Sequence, residues 1–126
     1  MKFRGLAVIL GLALCFALAS PGLAAEKLAW DGNEWKEFKL EHKVAYIKGV
    51  LNMAAYETAV GGAGRSLCIS KAFTEELKTK TLGQVVKEVD QYYQENPKKL
   101  NTPIIDVLLR QCTQLCPPET SAEKKK

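Results

Sequence analysis

Four cysteines, one histidine and a scatter of carboxylates are the side chains best suited to chemistry in this 126-residue chain. His42 stands between Glu41 and Lys43 on the polar side of a helical stretch, so it reads as a solvated surface residue. A metal site built on paired histidines is excluded. Cys68, Cys112 and Cys116 fall short of a four-cysteine zinc site, and the i,i+4 pair Cys112 and Cys116 lacks a second pair. A Cys-His nucleophile needs an unpaired thiol beside His42, and a bridged cysteine cannot serve. No Ser-His-Asp set stands out. Asp31, Glu34, Glu37, Glu41, Glu57, Glu88, Asp90 and Asp106 are spread along polar faces. Asp31-Gly32-Asn33 begins like a calcium loop, but Trp35 and His42 occupy positions that need oxygen ligands. Gly61-Gly62-Ala63-Gly64 is not followed by Gly-Lys-Ser/Thr, so it caps a helix rather than cradling phosphate. The expectation is no catalytic residue, no metal and no cofactor. A binding surface is the expected product of this chain, not an enzyme.

The elements that must build such a surface begin after residue 25. Met1-Lys2-Phe3-Arg4 is a short positive start, Gly5 to Ala19 is apolar and uncharged, and Leu23-Ala24-Ala25 offers small residues for cleavage. Residues 1–25 therefore read as a secretory signal peptide, cut after Ala24 or Ala25. The apolar run is short for a membrane span, so no stable anchor is expected after cleavage. Leu14 before Cys15 is not the small residue a lipoprotein signal requires. Removing Lys2 and Arg4 takes the net charge from +4 to +2, which does not support nucleic-acid binding. Export implies an oxidising compartment, periplasmic or extracellular. Three cysteines then remain, read as one bridge and one free thiol.

The rest reads as an all-α domain over 26–118, a small bundle of about four helices with one disulfide. Asp31 with Glu34 three residues on predicts a capping box for a short helix that carries Trp35 and Phe38 as apolar plugs. The main helix runs from about Leu40 to Val60, with Leu40, Val44, Ile47, Leu51, Ala54, Ala55 and Thr58 at helical spacing. Its other side, Tyr46, Gly49, Val50, Met53, Tyr56 and Val60, is uncharged too. A helix apolar nearly all round is central or faces a partner. A short helix is expected from Lys71 to Lys78, burying Phe73 and Leu77. Thr81 with Gln84 starts the next helix, whose core stripe is Val85, Val86, Val89 and Tyr93, and Asn96-Pro97 stops it. Thr102-Pro103 predicts an N-cap and first position for a last helix burying Ile104, Ile105, Leu108, Leu109, Cys112 and Leu115. Residues 119–126 read as a disordered polar tail.

Cys68, then Thr81-Leu82-Gly83-Gln84-Val85-Val86, Tyr92-Tyr93-Gln94-Glu95-Asn96-Pro97, Ile105 to Leu109 and Leu115-Cys116 form a pattern. It resembles the Rap/Tai-type immunity proteins of type VI secretion systems, over about half of the mature chain. Trp35 and Lys43 to Gly49 also look like the main helix of that group. The resemblance implies a small helical periplasmic protein of a bacterium, often a homodimer, that binds a peptidoglycan amidase effector and occludes its active site. It implies a Cys68–Cys116 bridge, with Cys68–Cys112 as the rival one turn away. The chain departs from the family in having Leu115 rather than proline before the last cysteine, an extra Cys112, and a more basic Lys71–Lys80 segment. A periplasmic acid-stress chaperone, binding unfolded clients through apolar surface exposed at low pH, is the alternative.

The uncharged side of the main helix places Tyr46, Met53 and Tyr56 at an expected homodimer seam, since aromatic and methionine side chains suit such cores. The competing expectation is that Trp35, Phe38 and Phe73 fold over that side. Tyr92 and the Lys71–Lys80 segment are the expected contacts for a secreted hydrolase effector. Tyr92 flanks the core stripe, so its ring can be half buried while its hydroxyl faces a partner.

Overall fold

The computed structural model describes residues 27–118. The expected signal peptide and the expected tail, residues 119–126, lie outside the described residues. Six α-helices and one 3-10 turn follow one another: α1 Gly32–Glu37, α2 Leu40–Val60, α3 Gly64–Thr79, α4 Leu82–Glu95, the turn Pro97–Lys99, α5 Ile104–Leu108 and α6 Arg110–Leu115. Among the described residues there is no strand, only an isolated bridge between Asp31 and Pro103.

Local chemistry explains where the helices start and stop. Asp31 accepts from the Asn33 backbone N–H at 2.8 Å, and Glu34 accepts from the Asp31 N–H at 2.8 Å. That reciprocal cap starts α1. Thr81 and Gln84 do the same for α4. Gly61 ends α2 with φ 74° and ψ 47°, a left-handed cap that glycine adopts without a Cβ clash. Glu57 then clasps the connector, accepting from the hydroxyls of Ser66 and Ser70 on α3.

α2 packs chiefly on α3 and on α4, while α6 lies on α3 and α5 on α4. The core holds Trp35, Ile47, Phe73, Val85, Val86, Val89, Tyr93, Ile104 and Cys112, all nearly fully buried. All four residues of the α4 stripe are among them, as the periodicity predicts. Trp35 is more than a plug, being 1% exposed at the centre of the core. Gly32 fits because a Cβ there would lie 2.5 Å from the Tyr93 ring. The leader is tied to the 100–104 segment, where Gly32 N–H donates to Leu100 O and Ile104 N–H to Trp30 O, both at 2.8 Å.

Four expectations are corrected. The helix expected over Lys71–Lys78 spans Gly64–Thr79, so it also carries Cys68. Its first turns pack Ile69 against the core, and tertiary burial overrides the glycine at its start. The last helix breaks at Leu109, with φ −92° and ψ 7°, into α5 and α6. The break divides one expected helix into two and brings the described α-helices to six. Pro103, not Thr102, is the N-cap of α5, because the Trp30 carbonyl takes the first helical N–H. Leu115 and Leu40 are 76% and 63% exposed, since both stand at helix ends beyond the reach of the neighbouring helix.

The disulfide is Cys68–Cys116, with a Cα–Cα distance of 5.9 Å and a sequence separation of 48. It staples α3 to the end of α6. On the chain-entropy account a loop of that length is worth about 4 kcal/mol.

Candidate functional site

The second half of α2 carries three large, exposed apolar side chains close together. Met53 is 63% exposed, Tyr56 61% and Val60 59%. Their spacing of three and four residues places them on one side of the helix. Beside them a groove of about 230 Å³ runs between α2, α3 and α5, walled by Val50, Met53, Ile69, Phe73, Ile105 and Leu109. No charged side chain lines it. Trp35 and Phe73 are buried and Phe38 is half-buried, but they do not extend over Met53 and Tyr56.

Tyr46 stands apart from that face. Its ring is half-buried among Trp30 at 6.0 Å and Trp35 at 6.3 Å, with Phe38 next to both tryptophans. Burial, with Asp106 nearby, raises its phenol above the ordinary value. The N-terminal half of the α2 face is therefore covered by the aromatic leader, while the C-terminal half is open. Trp30 was not singled out from the sequence. Its position directly before the Asp31 cap is the one signal that it would be drawn across α2.

Tyr92, on α4, lines neither the groove nor the Met53 face. It is half-buried, edge-on to Tyr93 at 5.3 Å, with the Arg110 guanidinium 5.0 Å over its ring. The two line a polar cavity of about 280 Å³ with Glu88, Gln91, Glu95 and Gln111. The Lys71–Lys80 segment offers less free charge than its composition suggests. Lys78 pairs with Glu75 at 2.6 Å, and Lys80 with Glu76 at 2.7 Å and Glu88 at 2.9 Å.

The chemistry-bearing residues do not converge. Among the described residues no three His, Cys, Asp or Glu side chains gather as a metal site. His42 is exposed, edge-on to Phe38 at 6.3 Å. Among the described residues Cys112 is the free thiol, buried and donating to Glu76 at 3.3 Å. Burial and the Glu76 carboxylate push it up to about 12, so the nucleophilic thiolate is suppressed. Ser70 donates to the Glu57 carboxylate, and the Ser66 and Ser70 hydroxyls hold the Glu57 carboxyl below its ordinary value, which makes it a poor base. The arrangement is one of clasps, each satisfying its own polar groups.

No family model matches the chain, and neither a characterised protein nor a solved structure is significantly similar to it. No described helix is long and apolar enough to cross a membrane.

Proposed function

We propose that this chain is an exported, non-catalytic binding protein of the immunity type, which binds a secreted peptidoglycan hydrolase and blocks its active site. The observation that carries the reading is the open Met53–Tyr56–Val60 face beside an uncharged groove. Exposed apolar surface concentrated in one place, on a fold stapled by a disulfide, marks a protein-binding site. The resemblance of the Cys68 to Cys116 stretch to Rap/Tai-type proteins supplies the partner class. In this reading that face is the homodimer seam, with Met53 and Tyr56 at its centre and Tyr46 at its covered edge, and the hydrolase meets the rim outside it. Tyr92, under Arg110, contributes the polar rim.

The test is titration of the purified protein against purified peptidoglycan amidases of the type VI effector class, followed by calorimetry and by cell-wall digestion. A stoichiometric complex with loss of digestion is expected. No complex, together with apolar dye binding and dimer dissociation near pH 3, would instead establish the acid-stress chaperone reading.

A further inference from the structure

A cavity of about 460 Å³ opens between α1, the start of α2 and the end of α4, and shares no lining residue with the groove beside Met53. That volume lies within the ordinary range of small-ligand sites. Trp35, Tyr93, Pro97 and Leu100 form its apolar wall, and Lys36, Lys43, Asp90 and Gln94 bring polar groups to it.

Asp90 is held rigidly. Its Oδ1 accepts from the Trp35 indole N–H at 2.7 Å and from the Lys43 ammonium at 2.7 Å. Lys43 is itself fixed, 5.2 Å from the centroid of the Trp35 ring. Both donors use the same oxygen, so Oδ2 accepts no hydrogen bond from any described side chain. The carboxylate is still 31% exposed. A locked carboxylate with a vacant acceptor is suited to a ligand N–H donor, and Lys43 on the far oxygen keeps that contact short of a bare ion pair. Lys36, exposed on α1, makes no ion pair with any described residue. It presents an uncommitted cation to the same cavity, and Lys98 and Lys99 follow Pro97 on the adjoining turn. The site thus offers an acceptor, a cation and an apolar strip between helices.

The geometry points to a binding site for a short peptide with free termini. The peptide α-ammonium donates to Asp90 Oδ2, its terminal carboxylate accepts from Lys36, and its side chains lie along Trp35, Pro97 and Leu100. A single amino acid would leave much of the volume empty, whereas two or three residues fill it. This site stands independently of the hydrolase-binding reading, because none of its residues belongs to the Met53 face.

The probe is trialanine, titrated into the isotopically labelled protein and followed by NMR. Saturable shifts are expected at the Trp35 indole N–H and the Gln94 side-chain amide. N-acetyl-trialanine and trialanine amide should each bind about tenfold more weakly. Lys36→Met, at an exposed position that leaves the fold intact, should erase the penalty for amidation and keep the penalty for acetylation. Absence of saturable shifts up to about 20 mM peptide, or equal binding of the blocked peptides, would overturn the assignment.

Discussion

Asp31 shows how much one side chain can hold. It is 4% exposed, caps α1 and pairs with Lys27. The Lys27 ammonium, outweighing the cost of burial and helped by the Asn33 N–H, holds its carboxyl at about 2 against an ordinary 3.8. A depressed carboxylate stabilises the fold above its unfolded value, and that contribution is lost as pH falls through the folded value. Stability should therefore drop as pH falls from 3.8 towards 2. Asp31→Asn keeps a cap oxygen but loses the ion pair. Its denaturation midpoint should vary less over that window than the wild type's, and an identical profile would show that Asp31 is not the group responsible. Cys112 makes the opposite case, a buried thiol whose ionisation is suppressed. Native protein should resist alkylation at Cys112 until it is unfolded, and non-reducing peptide mapping should recover the Cys68–Cys116 fragment. A Cys68–Cys112 fragment would contradict the observed bridge.

At the scale of elements, α3 is the helix whose position depends most on its neighbours. It is clasped to α2 by Glu57 through Ser66 and Ser70, stapled to α6 by the disulfide, and anchored by Phe73 at 1% exposure. Phe73→Ala should cost about 3–5 kcal/mol, measured by denaturant unfolding with the bridge intact. A loss below about 1 kcal/mol would mean that the groove beside Phe73 collapses to fill the space. α1 is short and rests on close approach. Gly32→Ala would drive a Cβ into the Tyr93 ring and also push on the Leu100 carbonyl that accepts the Gly32 N–H. It should lower the melting temperature, although alanine is otherwise the better helix former.

For the whole molecule, the open half of the α2 face is the feature with the widest consequence. Met53 is 63% exposed, so Met53→Glu should leave the melting temperature within the small range typical of surface changes. The same change should move the protein from dimer to monomer in sedimentation, because association would bury an unpaired charge. A wild type that sediments as a monomer at tens of micromolar removes the seam, and a Met53→Glu variant that unfolds contradicts the exposed position.

The sequence by itself determined the helices whose ends carry their own chemistry. The Asp31–Glu34 and Thr81–Gln84 caps, the stop at Asn96-Pro97 and the α2 span from Leu40 to Val60 were all legible, because each depends on side chains within a few residues. The α4 stripe was legible for the same reason, since a single face of period 3.6 has one way to turn inward. Tertiary structure alone decided the rest. The start of α3 at Gly64 depends on α2 lying beside it, and the break at Leu109 on how α5 and α6 meet separate neighbours. Of the four side chains expected at partner contacts, Met53 and Tyr56 stand open, Tyr46 lies under Trp30, and Tyr92 lies under Arg110. No periodicity distinguishes these cases, because α2 is apolar nearly all round and only the path of the leader determines which half it covers. The cavity around Asp90 is likewise invisible in sequence. Trp35, Lys43 and Asp90 are 55 and 47 positions apart in their pairings, and only packing brings them to one oxygen.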